Sequence, residues 1–334
     1  MRTLTDNELK LFESLCKLSQ RNLQTSLFNF LKDKYKGNVT YNYHFLCAEG
    51  DIPIALVAHM DTVWPEATDE IIYDRNKNIM WGVGGTGFDD RTGIFLILQI
   101  IKSGLRPHVI FTTDEEKGCI GASVLANRKM PFKDLRYIIE LDRRGANDCV
   151  FYDCDNPQFT EYVESFGFVE ALGSFSDICE LCEAWKVAGV NLSVGYKDEH
   201  TNQERQYVSA MFDTYKKVVK MLKETEIPKF DFILSKHSYS CLFKGLGGYS
   251  GLYGDSDDDI CEACGSPCRA YELMPVINEA GKKEYICLDC YDHLDIGYCA
   301  KCQEGFLRKN KMEEVCAKCA KENNEQSRNT KNKK

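Results

Sequence analysis

Apolar positions recur near helical spacing from residue 6 to 34, at Leu9, Phe12, Leu15, Leu18, Leu23, Leu27, Phe28 and Leu31, and the spacing predicts a helix there. Val39 to Cys47 and Ile52 to Ala58 read as a pair of strands. Beyond them the pattern alternates. Helices are predicted over Asp90 to Lys102, Gly121 to Asn127, Ser176 to Ala184 and Glu204 to Glu224. Strands are predicted over Val109 to Thr113, Tyr137 to Leu141 and Val187 to Val194. Such alternation favours the α/β class, a sheet covered by helices on both faces. The first 240 residues contain no internal repeat.

The pattern breaks at Gly245–Gly254, where glycines precede the acidic run Asp255–Asp259, a composition that reads as a linker over 241–260. A cysteine-rich segment follows over 261–320. The end, 321–334, is lysine-rich without an apolar residue and is expected to be disordered. Residues 1–240 form the expected main domain.

Of 334 residues, 43% are apolar and 28% charged, ordinary for a globular chain with a sizeable core. No apolar run reaches the roughly 18–20 residues of a membrane helix, and the first ten residues lack the apolar core of a secretory signal. No membrane association is therefore expected. A net charge of −9 argues against nucleic-acid binding by the whole surface. Seventeen cysteines change the picture more: eight precede residue 260 and nine fall between Cys261 and Cys319. The late ones form Cys-x-x-Cys pairs, a spacing for metal ligation rather than disulfides, and a reducing cytoplasm is the expected compartment.

In the main domain, acids and histidines follow apolar strands. His59 and Asp61 end Leu56-Val-Ala-His-Met-Asp. A glycine-rich loop delivers Asp89 and Asp90 to a helix start. Glu115 and Glu116 follow Phe111-Thr-Thr-Asp, Asp142 follows Ile138-Ile-Glu-Leu, and His200 follows a further apolar strand. In open α/β sheets, ligands bind beyond the carboxyl ends of strands. Each feature alone has an ordinary explanation: aspartates cap helices, adjacent glutamates are solvated, and a buried histidine is hydrogen-bonded. Their conjunction points to divalent metal. A single catalytic zinc usually takes three protein ligands, whereas this set suits two ions sharing a carboxylate, an arrangement that activates a bridging water.

These residues resemble the co-catalytic, dinuclear zinc exopeptidases. The resemblance rests on His-x-Asp after a strand, Asp-Asp-x-x-Gly after a glycine-rich loop, Glu-Glu-x-Gly-x-x-Gly-Ala, a later Asp and a late His, in order over about residues 50–215. That superfamily includes leucyl aminopeptidases, peptidase T, glutamyl aminopeptidases and the deacylase/carboxypeptidase branch. The resemblance implies a three-layer fold with a mixed β-sheet flanked by helices. It implies that Asp89 bridges two Zn²⁺ ions, that His59 and Asp142 complete one, and that Glu116 and His200 complete the other. Co²⁺ or Mn²⁺ are alternatives in such a site. Glu115 would be the general base and Asp61 would orient His59. Only 29 residues separate His59 from Asp89 and 57 separate Asp142 from His200. Neither gap has room for the inserted domains of the larger branches, so the layout is nearest the leucyl-aminopeptidase branch. Arg143 and Arg144 either hold a substrate carboxylate or belong to the plain surface.

In the tail, Cys261-x-x-Cys264 precedes Cys287-x-x-Cys290, and Cys299-x-x-Cys302 precedes Cys316-x-x-Cys319. Eight thiolates suffice for two closed tetrahedral zinc sites, as consecutive zinc ribbons or cross-braced. Metal would supply the folding energy that so little apolar content cannot. Cys268 is a spare. Cys179-x-x-Cys182 reads as helix cysteines near the core. The module would recruit a protein or substrate, or bind nucleic acid through its lysines and arginines. The expected function is a dizinc, aminopeptidase-like hydrolase acting on peptide or acyl-amide bonds. The alternatives are a non-catalytic adaptor acting through the ribbons, an acyl-amide deacylase, or a glutaminyl-cyclase-type enzyme. The oligomeric state is open.

Overall fold

The amphipathic stretch at the start folds as two helices rather than one, α1 (Asp6–Lys17) and α2 (Gln20–Lys34). The break is local chemistry. Ser19 adopts an extended conformation and accepts a hydrogen bond from the Asn22 amide, starting α2 afresh. At α1, Thr5 and Glu8 close a reciprocal capping box. The computed structural model describes residues 2–235 except 67, 69 and 174, and then 259–263, 267–268, 273–287, 290–291, 294–302, 304–308 and 313–321. Cys264, most of the expected linker and all but the first residue of the lysine-rich end lie outside the described residues. The chain divides into two compact units, Met1–Tyr249 and Ser250–Lys334.

The first unit is a three-layer α/β fold. Its eight-stranded sheet runs β1 (Val39–Tyr41), β2 (Phe45–Ala48), β6 (Pro107–Thr112), β3 (Ile52–His59), β7 (Tyr137–Arg143), β10 (Gly189–Ser193), β8 (Asp148–Val150), β9 (Val169–Glu170). The four middle strands are parallel, while β2 and β8 run antiparallel to their inner neighbours. Every residue of β6 and β10 is buried, as strands covered on both faces require. Helix α3 (Phe88–Lys102) packs against β3 and β7, with α1 and α7 (Val208–Leu222) against it. Helices α4 (Ile120–Ala126) and α6 (Asp177–Trp185) pack on each other, and α6 also reaches β7 and β10. Helix α5 spans Pro157–Glu164. Cys182 is buried on α6 and Cys179 is partly buried.

A second sheet of four strands joins β11 (Tyr196–Lys197), β12 (Arg205–Tyr207), β5 (Ile79–Gly82) and β4 (Ile71–Asp74). The expected helix from Glu204 therefore begins late: residues 205–207 pair with β5 and only Val208 opens α7. Among the described residues, no helix is long and apolar enough to cross a membrane.

The second unit contains the pair β13 (Asp259–Ile260) and β14 (Pro267–Cys268). It also holds a four-stranded sheet in the order β16 (Lys283–Cys287), β15 (Leu273–Ile277), β18 (Gly305–Leu307), β17 (Ile296–Tyr298). Its small core combines Ile277 and Phe306 with Cys299, Cys316 and Cys319.

Candidate metal centre

His59 ends β3 with its side chain 1% exposed. Its Nδ1 lies 3.2 Å from Asp61 Oδ1, and its Nε2 lies 3.1 Å from Asp89 Oδ1 and 3.4 Å from Asp142 Oδ1. Asp142 is reached because β7 runs parallel beside β3. On the other side of Asp89, Oδ2 lies 3.1 Å from His200 Nε2, which is also 2.8 Å from Glu116 Oε1. Five separated segments thus meet around one carboxylate, and each oxygen of Asp89 faces a different imidazole. His200 sits in the left-handed region, at φ 61°, a conformation retained mainly where surrounding contacts impose it.

Two motif glycines allow this convergence. A Cβ on Gly93 would lie 2.1 Å from the Leu141 carbonyl and 2.5 Å from Asp90 Oδ1, so the start of α3 approaches the end of β7 only without a side chain. A Cβ on Gly121 would meet the His44 carbonyl and the Thr113 amide within 2.6 Å. That close approach seats α4 behind the glutamate pair. Asp61 ties the pair down, accepting from the Glu115 amide at 3.0 Å and the Glu116 amide at 3.1 Å.

The donor set fits divalent cations. With Nδ1–H given to Asp61, His59 presents a lone pair at Nε2 to the oxygens of Asp89 and Asp142, acceptors facing acceptors. Only a proton or a cation between them reconciles that arrangement. Zinc bonds of 2.0–2.2 Å in a tetrahedron imply ligand-to-ligand edges of about 3.3–3.6 Å, and the four distances around the imidazoles, from 2.8 to 3.4 Å, lie within or a few tenths of an ångström below that range.

Electrostatics agree. Burial alone would lower His59, but Asp142, Asp61 and Asp89 hold it well above the ordinary imidazole value. Hydrogen bonds to Asp89 and Glu116 raise His200 to about 11. Burial and the charge of Asp89 push Asp142 up to about 7. Glu115 is raised well above the ordinary carboxylate range by burial, with Asp142, Asp177 and Asp89 adding to the effect.

Asp90 takes a different position from Asp89. It is fully buried, its Oδ1 accepts from the Gly93 amide at 2.8 Å, and its Oδ2 has no hydrogen-bond partner. It groups with His59 and Asp142 but not with His200. A cavity of about 220 Å³ opens beside the cluster, with Glu115, Asp142, Arg143, Tyr152, Phe175 and His200 among its walls. Arg144 pairs with Glu199 at 2.8 Å, and Arg143 donates to the Leu172 carbonyl at 2.8 Å.

Three neighbours of the cluster carry no sequence signal. Tyr196 donates to Asp142 Oδ1 at 3.0 Å, Asn191 accepts from the Asp142 amide at 3.0 Å, and Glu204 accepts from the Asp89 amide at 3.0 Å. Their partners lie 49 to 115 residues away, so no local spacing marks them.

In the second unit, Cys299, Cys302, Cys316 and Cys319 bring their sulfurs together within 4.8 Å, and Cys261, Cys287 and Cys290 do the same. The Cys302 and Cys316 sulfurs are 3.7 Å apart, near the edge of about 3.8 Å that zinc–sulfur bonds of 2.3 Å imply. The Cys287 amide donates to Cys261 Sγ at 3.1 Å.

The model of the peptidase family M20/M25/M40 matches residues 55–237. No curated protein sequence matches the chain. Among solved structures, the chain is similar to the TET aminopeptidase of a marine-sediment Thaumarchaeota archaeon, at 13% identity and TM-score 0.54, over 67% of this chain and 98% of that one. It is also similar to the aminopeptidase PepT of Bacillus cereus, at 14% identity and TM-score 0.50, over 64% and 96%. A tripeptidase of Staphylococcus aureus aligns at 13% identity and TM-score 0.50, over 65% and 97%. At these identities the likeness establishes a shared fold.

Proposed function

The chain belongs to the peptidase family M20/M25/M40 and is a metallopeptidase of the zinc-exopeptidase superfamily, and from that premise we propose a dizinc exopeptidase, aminopeptidase-like, that cleaves peptide or acyl-amide bonds. The observation that carries this reading is the two-sided contact of Asp89, one oxygen 3.1 Å from His59 and the other 3.1 Å from His200. His59, Asp142 and Asp89 would hold one ion, and Asp89, Glu116 and His200 the other. Zn²⁺ suits this mixture of imidazole and carboxylate, with Co²⁺ or Mn²⁺ as substitutes.

When bound, such ions polarise the scissile carbonyl and make an attacking water acidic at neutral pH. Glu115 takes the proton of that water and delivers it to the leaving amine. Its burial and its carboxylate neighbours raise its proton affinity, which suits a group that must first accept a proton and then release it. Asp61 acts on the others: it orients His59 through Nδ1 and fixes the backbone of both glutamates.

The cysteine clusters of the second unit support two structural zinc sites formed in sequence, Cys299/Cys302/Cys316/Cys319 and Cys261/Cys287/Cys290 with Cys264 as the expected fourth ligand. This module would recruit a protein or the substrate, or bind nucleic acid. A thiol-rich chain with this chemistry suits the cytoplasm.

Incubating the metal-loaded protein with a mixed peptide library, beside Glu115→Gln, tests the assignment by mass spectrometry. Stepwise loss from amino termini by the wild type, reduced roughly 10²–10⁴-fold in the variant, is expected. Loss from carboxyl termini would refute the aminopeptidase reading, and full activity of Glu115→Gln would remove its role as base.

A further inference from the structure

We propose that Glu204 is a positioning residue for the metal centre, the point at which the hairpin carrying His200 aims Asp89. The proposal rests on the reading of Asp89 as the shared ligand. Asp89 and Asp90 are non-helical at the start of α3, and the regular helix beyond them is capped by Asp90, whose Oδ1 accepts from the Gly93 amide. The Asp89 amide and the Thr86 hydroxyl in the irregular segment before that cap therefore need acceptors from elsewhere. Glu204 supplies them from 115 residues away: Oε1 accepts from the Asp89 amide at 3.0 Å and Oε2 from the Thr86 hydroxyl at 2.6 Å. The side chain is 2% exposed, sealed against the loop it holds.

The hairpin repeats this grip. Two residues along, on β12, Gln206 accepts from the Thr92 hydroxyl at 2.7 Å and donates to the Val194 carbonyl at 2.9 Å. Thr92 lies in the first turn of the regular helix beyond Asp90, so the hairpin holds both the irregular segment at Asp89 and the helix that follows it. Tyr196 stands opposite Gln206 in the β11–β12 pair and donates to Asp142 Oδ1 at 3.0 Å. Between the strands, His200 meets Asp89 and Glu116. One hairpin therefore delivers a ligand and also fixes two others, Asp89 through its backbone and Asp142 through its carboxylate.

The chemistry at 204 asks for two acceptors at once. A glutamine keeps the shape but turns an amide NH₂ toward either the Asp89 amide or the Thr86 hydroxyl. The consequence falls on the direction of the Asp89 side chain, two bonds from that backbone nitrogen. A helix cap alone would change only stability. Positioning of a ligand also changes cation affinity and turnover.

The test uses the full chain with zinc kept on the cysteine sites and only the histidine–carboxylate site stripped and titrated with Co²⁺, with binding followed by visible absorption, folding by circular dichroism, and kcat and KM on a peptide that the wild type cleaves. Glu204→Gln is expected to remain folded with the histidine–carboxylate site empty, to bind Co²⁺ there roughly 10–100-fold more weakly, and to lose kcat by a similar factor, with KM changed less than about threefold. Glu204→Asp, which keeps a carboxylate, recovers part of the loss, and Thr86→Val falls between. Wild-type Co²⁺ affinity and kcat in Glu204→Gln, beside an Asp89→Asn that has lost binding, overturns the proposal. If Glu204→Gln does not fold, wild-type affinity and kcat in Thr86→Val overturn it instead. Unchanged Co²⁺ binding in Asp89→Asn refutes the shared-ligand reading rather than the role of Glu204.

Discussion

Replacing Asp61 with asparagine changes one oxygen into an NH₂ group and leaves the shape intact. The carboxylate serves three donors: Oδ1 faces His59 Nδ1 at 3.2 Å and the Glu115 amide at 3.0 Å, while Oδ2 takes the Glu116 amide at 3.1 Å. An asparagine oxygen in the Oδ1 position preserves two of these bonds, and the opposite orientation preserves one, so the first is favoured. The NH₂ then faces the Glu116 amide, donor against donor. Losing a hydrogen bond to a charged group costs about 1.5–3 kcal/mol, or roughly 10–100-fold at 1.4 kcal/mol per decade. The loss should fall on the ion bound by Glu116 and His200 more than on the ion bound by His59. With the cysteine sites already zinc-loaded, calorimetric titration with Zn²⁺ would show two unequal steps, only one of them weakened, and kcat should fall in the same range. Asp61→Ala, which loses all three acceptors, should weaken both steps. Two wild-type steps and full kcat in Asp61→Asn would refute the reasoning.

In the metal-free protein His200, raised to about 11, is protonated at pH 7, so cation binding must expel a proton. Titrations in buffers of different ionisation enthalpy should detect it, and buffer-independent heats would contradict the assignment. The same shift stabilises the metal-free fold fully below the unfolded value of 6.5 and loses that contribution as pH rises toward 11. Asp142, raised to about 7, acts in the same direction between its ordinary 3.8 and 7, because the folded form binds more protons there. The metal-free melting temperature should therefore decline from pH 5 to 9, and a rise would show the opposite linkage. Gly93→Ala forces a Cβ to 2.1 Å from the Leu141 carbonyl. Overpacking of about 1–3 kcal/mol should lower the melting temperature by at least about 2 °C, and an unchanged melting curve would refute the close-approach argument. Cys302→Ala should remove one zinc equivalent per chain with peptide hydrolysis unchanged, and undiminished zinc by atomic emission would exclude Cys302 as a ligand.

The central strands were legible because β3, β6, β7 and β10 are buried on both faces and read as mostly apolar runs despite single buried polar residues such as Glu140 and Asn191, each followed by polar residues where the backbone leaves the sheet. Other elements had readable signals that a longer pattern masked. Ser19 caps α2 inside what looks like one amphipathic run, and Asn156 with Pro157 marks the start of α5. The strands β4 and β5 are short and only half buried, so their alternation is weak. Arg205–Tyr207 was absorbed into the helix that follows because its strand character comes from pairing with Ile79, Met80 and Trp81, a long-range choice that local propensity does not encode. The same reason hides Tyr196, Asn191 and Glu204.

The two histidines sit in unlike surroundings: the His59 side chain is 1% exposed on a central strand, whereas that of His200 is 46% exposed on a hairpin of the smaller sheet. Two ions held there would not be kinetically equivalent. Releasing the ion on His59 requires ligands anchored on the buried central strands β3 and β7 to part, while a local excursion of the hairpin frees the other at lower cost. Exchange against isotopically labelled zinc would then be biphasic, and the chain would pass through a state with one ion retained, its general base in place and its second ion already exchanging with solvent.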